Sequence, residues 1–225
     1  MNLRKVDEMK KIIAATALLV FGFGSAVHAD DAKSVADNMV KVDRAAFKET
    51  FVNPDVDLKQ YTKIMIAEGE YEFRDVKKTP RMSSSFRNNT SEFWVSDSDK
   101  EKAEDMINDT FDDEFAKIKN FEIVSEPGPG VLILHGGLYD IVSHVPPEPM
   151  GAGESYISKV ATATISLEAV DAVTGEVVFN ASERSKIERG GRDMIAANSV
   201  TVRAEVRRWA RRNAAKLVKA LDSIH

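Results

Sequence analysis

The sequence predicts an α+β domain: a mixed or largely antiparallel sheet of about five strands with two long helices packed on one face. Three stretches carry that expectation. Tyr156 to Val170 alternates, with Ala161, Ala163, Ile165, Leu167 and Ala169 on one side and Thr162, Thr164, Ser166 and Glu168 on the other. That is the period of a half-buried antiparallel strand. Asp97 to Asn120 repeats Ala103, Met106, Ile107, Phe111, Phe115 and Ile118 at spacings of three and four, a helical stripe. Ser199 to Ser223 does the same through Val202, Val206, Trp209, Leu217, Leu221 and Ile224, with Asn213 as its polar member.

The first residues stand apart from that domain. Lys10-Lys11 precede an apolar run, Ile12 to Phe23, and Val27-His28-Ala29 follows with small residues at the two cleavage-defining positions. This is the order of a secretory signal peptide, expected to span residues 1–29 and to be cut between Ala29 and Asp30. The run is too short to serve comfortably as a membrane span, and no later one approaches eighteen residues. Met1 and Met9 are both available as starts, and Met9 begins the tidier signal. The chain has no cysteine, so neither a lipid at the cleavage site nor a disulfide is expected. A soluble, unanchored periplasmic protein is the resulting expectation. Without residues 1–29 the chain has 196 residues and a net charge of about −7. An acidic chain is unsuited to general binding of phosphate backbones, so no nucleic-acid partner is expected.

The elements follow in order. Residues 30–57 read as a polar or helical lead-in, with Val35, Met39, Val42 and Phe47 as its apolar members, ended by Asn53-Pro54-Asp55. Residues 58–225 form the single domain. Ile64-Met65-Ile66 marks a central strand running on through Tyr71 and Phe73. Residues 74–96 are rich in Arg, Lys, Ser and Asn and read as a long surface loop, a type that is functional or mobile. Ser96, Asp97 or Ser98 caps the acidic helix behind it. Phe121 to Val124 is a strand, Glu126-Pro127-Gly128-Pro129-Gly130 a hard turn, and Val131 to Val145 a strand interrupted by Gly136-Gly137 and stopped by Pro146-Pro147. Thr174-Gly175 folds the alternating strand back into Val177 to Ser185, and Gly190-Gly191 separates the sheet from the last helix.

From Tyr61 onward this layout resembles the bacterial family catalogued as domain of unknown function 3313. Four stretches carry the resemblance: Leu58 to Ile66, Glu126 to Leu132, Asp171 to Val177, and the helix around Trp209-Ala210-Arg211-Arg212. Members are similar to envelope lipoproteins with no agreed activity. The resemblance therefore implies the fold class and an envelope location, and it supplies no catalytic residues. Without a cysteine at the cleavage site, membrane anchoring does not carry over.

Chemistry finds little purchase. His135-Gly136-Gly137 has the outline of an oxyanion-hole loop, but no Gly-x-Ser-x-Gly elbow accompanies it, and a strand histidine beside a bulge or close contact is the simpler reading. Asp140 and His144 are the one acid–base pair on offer for an envelope hydrolase; Ser143, pointing to the other face of a regular strand, cannot join them. No His-Glu-x-x-His pair exists, and Asp97-Ser98-Asp99-Lys100-Glu101 lacks the glycine and the final glutamate of a calcium loop, so it reads as a helix N-terminus. Gly151-Ala152-Gly153 leads into a strand and fails as a dinucleotide fingerprint. No catalytic residue, metal or cofactor is expected.

Charge is more suggestive. The first helix carries Glu101, Glu104, Asp105, Asp109, Asp112, Asp113 and Glu114; the last carries Arg203, Arg207, Arg208, Arg211, Arg212, Lys216 and Lys219. A basic amphipathic helix serves a membrane surface or a partner, but side by side on one sheet face the two helices would satisfy each other. The reading is thus a non-catalytic binding or adaptor protein, meeting an envelope component through Arg74, Arg81, Phe86, Arg87 and Trp94 of the long loop, since Arg and Trp are favoured at energetic hot spots. The alternatives are the hydrolase and a carrier of small apolar ligands.

Overall fold

A thirteen-residue strand forms the axis of the structure, a computed structural model that describes residues 39–43, 45–77, 92–146, 155–190 and 194–225. In chain order the elements are β1 (Val40–Lys41), β2 (Glu49–Val52), a 3-10 turn (Leu58–Gln60), β3 (Lys63–Ile66), β4 (Glu70–Phe73), α1 (Asp97–Phe115), β5 (Glu122–Ile123) and β6 (Val131–Ser143). Then come β7 (Tyr156–Ile157), β8 (Ala161–Asp171), β9 (Val177–Ile187), β10 (Ile195–Ala196) and α2 (Ser199–Asp222). The main sheet runs β1-β2-β9-β8-β6-β3-β5, and β4 also pairs with β6; β7 and β10 make a separate two-stranded ribbon.

The fold class agrees with expectation, and the strand count exceeds it: eight strands share the mixed sheet. Three differences have physical causes. The central strand expected from Lys63 through Phe73 is two strands, β3 against Val131–Leu134 and β4 against Gly137–Ile141, separated by Ala67–Gly69. Both run parallel to β6, as β5 does to β3, so the sheet is mixed through pairings that connect distant parts of the chain. Part of the polar lead-in is sheet: β1 pairs with β2, which pairs with β9, while Phe47 is buried under the Lys41–Glu49 hairpin with Lys216 of α2 at 4.4 Å from its ring. No helix forms over the described residues 39–52.

The alternating strand behaves as its sequence dictates. Ala161, Ala163, Ile165, Leu167 and Ala169 are all buried, facing the helices, and the polar set between them is half-buried on the open side. α2 lies on the buried side, where the Trp209 indole Nε1 donates to Ser185 Oγ at 2.8 Å. α1 shares that side, its Asn108 accepting from Tyr71 Oη. Just beyond α1, the backbone N–H groups of Lys119 and Asn120 both donate to Asp222 Oδ1 at 3.0 Å, which ties the segment after α1 to the last residue of α2. Ser96 caps α1, its Oγ accepting from Asp99 N at 3.2 Å, so the acidic run there is a helix N-terminus as expected.

Candidate functional site

A break in β6 organises the part of the surface with functional promise. Tyr139 pairs with Thr164 of β8 and Val142 with Thr162, so Asp140 and Ile141 together oppose a single residue. This β-bulge gives Asp140 a φ of 52°, and it is the one non-glycine with positive φ among the described residues. The bulge aims the Asp140 carboxylate at two guanidinium groups. Arg74 donates Nε to Oδ1 at 2.6 Å and Nη2 to Oδ2 at 2.7 Å, a fork on a carboxylate. Arg184 donates Nη1 to Oδ2 at 2.7 Å and is itself steadied by Thr162 and Thr164. The Arg74 fork above all, then the Arg184 charge, holds the Asp140 carboxyl below the usual carboxylate range.

Beside this node the chain meets the edge of β6 on both sides of residues 78–91. Arg74 N donates to Ile141 O at 3.0 Å, and Phe93 N donates to Ser143 O at 2.9 Å, so the two meeting points stand two residues apart on one strand. Between them opens a cleft of about 140 Å³, lined by Phe73–Val76, Phe93–Val95, Lys100, Ile141 and Ser143. Trp94 is 42% exposed at its rim and is not tucked into the core. Of the expected contact residues, the structure brings Arg74 and Trp94 to one cleft; Arg81, Phe86 and Arg87 lie outside the described residues, as do Ala29 and Asp30. Arg74 is already engaged by Asp140 and by Glu92 at 2.5 Å, which makes it part of the cleft wall. Sequence reading missed Phe73, Phe93 and Lys100; the aromatic residues at both ends of the polar loop were the available signal.

The structure gives the hydrolase reading no support. Asp140 is an ion-paired carboxylate, the reverse of a base poised near neutrality, and neither Asp140 nor the buried His144 lines the cleft. His135 lies opposite Glu168 on the open face of the sheet. Gly137 has a packing cause: a Cβ there would lie 2.7 Å from the Tyr139 ring, which folds across it to donate from Oη to Glu70. Among the described residues no three His, Asp or Glu side chains gather as a metal site needs, and no helix is long and apolar enough to cross a membrane.

Three of the four sequence stretches singled out above converge at the other end of the sheet, where they hold structure together. Tyr61 Oη donates to Asp171 Oδ2 at 2.9 Å, while Asp171 Oδ1 accepts from Val173 N and Thr174 N at 2.8 Å and so shapes the β8–β9 turn that Gly175 closes at φ 71°. Backbone hydrogen bonds from Thr174 and Val173 keep Asp171 below the usual range, and burial with the Asp171 charge pushes the Tyr61 phenol up to about 12. Gly130 O accepts from Thr62 N and Lys63 N at 3.2 Å, joining the second stretch to the first.

The charged helices do not neutralise each other as expected. Among the described residues an ion pair joins them from Arg211 Nε to Glu114 Oε1, at 3.6 Å. Arg208 turns instead to Glu205 of its own helix, a carboxylate 1% exposed that Arg189 also contacts at 3.0 Å. Lys216 pairs with Glu183 of β9 at 2.8 Å. Arg207, Arg212 and Lys219 are exposed and make no ion pair among the described residues.

The fold is an α+β domain with two helices over a mixed sheet. The chain belongs to the family described as Protein of unknown function (DUF3313), whose model matches residues 34–216. No curated protein matches it. Among solved structures, a PelC dodecamer from Paraburkholderia phytofirmans is 13% identical, with a TM-score of 0.35 over 77% of this chain and 94% of that one. Protein XCC0632 from Xanthomonas campestris is 11% identical, with a TM-score of 0.38 over 70% and 82%. A neuraminyllactose-binding hemagglutinin homolog from Helicobacter pylori is 13% identical, with a TM-score of 0.33 over 75% and 84%. At such scores none of these likenesses bears on what this chain binds.

Proposed function

We propose that this is an exported binding or adaptor protein of the cell envelope, which engages another envelope component through the cleft beside Trp94 and performs no catalysis. One observation carries the reading: an aromatic cleft between the anchored ends of a long loop, with a tryptophan 42% exposed at its rim. Its size selects the kind of partner. A volume of about 140 Å³ falls short of the ~300–1,000 Å³ of small-molecule sites, which weighs against a carrier of apolar ligands, and suits one apolar side chain of a larger partner. Lys100 and the neighbouring Asp75 add polar groups at the wall, the pattern of an anchor pocket with a polar rim.

The signal-peptide features of residues 1–29 support export, and the lack of cysteine supports a soluble periplasmic form beginning at Asp30. The test is fractionation of cells producing a C-terminally tagged chain, N-terminal sequencing of the periplasmic form, and in-cell chemical cross-linking. The expected results are a chain starting at Asp30 and one envelope component captured reproducibly, with capture lost on Trp94→Ala. An uncut cytoplasmic chain would overturn the export reading, and capture indifferent to Trp94 would overturn the binding one.

A further inference from the structure

We infer that the outer edge of β4 takes up an extended segment of a partner protein as an added strand. The segment is basic where its side chains meet Glu70 and Glu72, and apolar where they face α1. The inference deepens the cleft reading above and rests on it for one anchoring side chain.

The edge follows from how β4 pairs. It lies parallel to β6, with Glu70 beside Gly137 and Phe73 beside Ile141, and it pairs with no other described strand. Arg74 N donates to Ile141 O at 3.0 Å, so the alternation of a strand turns the backbone groups of Glu70, Glu72 and Arg74 towards β6. The N–H and C=O groups of Tyr71 and Phe73 therefore point away from the sheet, and no backbone hydrogen bond to another described element takes them up. Further back, β5 closes the same side of the sheet by pairing with β3. An unpaired row of this kind is a template for one more strand.

Side chains select the occupant. Tyr71 and Phe73 are half-buried on the helix side, Tyr71 Oη bonded to Asn108 and the Lys100 ammonium 5.6 Å from the Phe73 ring. Glu70 and Glu72 are exposed on the open side and have no ion-pair partner among the described residues; Glu70 accepts only from Tyr139 Oη. The cations at the end of β4 are already engaged, Arg74 by Asp140 and Glu92, and Lys100 by Asp97. A second copy of this edge would set glutamates against glutamates, which is unfavourable, whereas lysine or arginine opposite them is favourable. The edge ends at the cleft, because Phe73 is both the last residue of β4 and part of the cleft wall. At ~3.3 Å per residue β4 is about 13 Å long, so a partner strand of roughly four to six residues covers it and delivers one apolar side chain to the cleft.

Short peptides added to the exported chain test this. One alternates valine with lysine, one alternates valine with glutamate, and two further copies of the lysine peptide carry N-methyl groups on alternate backbone nitrogens, one copy for each set. The lysine peptide should bind at least about tenfold more tightly than the glutamate peptide. One methylated copy should bind and the other should not, since only one set of N–H groups faces β4. Binding should slow hydrogen exchange at the Tyr71 and Phe73 amides, read by NMR. Glu72→Lys, at an exposed and unpaired position, should weaken the lysine peptide and leave the melting temperature unchanged. No binding of the lysine peptide at roughly 1 mM, methylated copies that both bind like the parent, or no protection at Tyr71 and Phe73 would overturn the proposal. The cleft reading fails separately. Protection of Tyr71 and Phe73 that persists in Trp94→Ala with undiminished affinity keeps the added strand and removes its anchor. In-cell capture lost in Trp94→Ala, with both methylated copies binding like the parent, keeps the cleft and removes the strand.

Discussion

Replacing Asp140 separates the two forces that meet at the β6 bulge. Three substitutions do different things. Asp140→Asn keeps a residue type tolerant of positive φ and one acceptor oxygen, but removes the charge that Arg74 and Arg184 share. Asp140→Gly removes every side-chain contact while being at ease at φ 52°. Asp140→Ala removes the contacts and also puts a Cβ into the left-handed region, a further ~1–2 kcal/mol. The two arginines are about two-fifths exposed, with side chains at 41% and 42%, so solvent screens the pairs. A forked pair plus a second arginine is then worth about 1–2 kcal/mol in total. Urea unfolding at pH 7 should show losses of about 1–2 kcal/mol for Asn, slightly more for Gly, and about 2–4 for Ala. For a chain of this size 1 kcal/mol moves the melting temperature by about 2–4 °C, so all three are measurable. The pH dependence has a definite sign. Because the folded carboxyl is held below 3.8, its contribution is present above that value and lost as pH falls through the lowered one. The gap between wild type and Asp140→Asn should therefore persist at pH 5–7 and close below pH 3.8. Alanine no worse than glycine would refute the backbone argument; asparagine equal to wild type would refute the ion-pair argument.

Other consequences are as definite. Gly137→Ala must push the Tyr139 ring off its seat and break its bond to Glu70, at about 1–3 kcal/mol; in a Tyr139→Ala background the same change should be nearly neutral in a double-mutant cycle. Tyr61→Phe loses a bond to an ionised carboxylate, about 1.5–3 kcal/mol by denaturant unfolding. Since the Tyr61 phenol is raised to about 12, its contribution is full below pH 10 and lost as pH climbs towards 12, so the variant should lose less stability than wild type across that alkaline window. Ser185→Ala leaves the Trp209 indole N–H without its acceptor in the core and should lower stability by about 1–3 kcal/mol in a thermal or urea melt.

What the sequence made legible follows from how local each signal is. Ala161 to Ala169 and the stripes through Phe115 and Trp209 announce themselves because burial on one face imposes a period of two or of 3.6. Strands of two and four residues, such as Val40–Lys41 and Glu49–Val52, are too short to show a period, and only pairing makes them strands, the first with the second and the second with β9. The parallel pairing of β3 and β4 with β6 is equally invisible, since it joins residues some 70 positions apart. At the site, Arg74 and Trp94 were legible from composition. The bulge was not: Leu138 to Val142 reads as a regular strand, and what meets Asp140 there is Arg74, just past β4, and Arg184 of β9. Glu205, which reads as one more surface glutamate, is buried because Arg189 and Arg208 close over it.

The most direct test of the binding role is a photo-activatable cross-linking residue placed at position 94 in cells exporting the protein, with Val173, 65% exposed on the distant β8–β9 turn, as the reference position. The account predicts one discrete cross-linked product from position 94 and none from position 173, with the same envelope component identified in it each time. Equal or absent cross-linking at the two positions would contradict the claim that the cleft beside Trp94 is where this protein meets its partner.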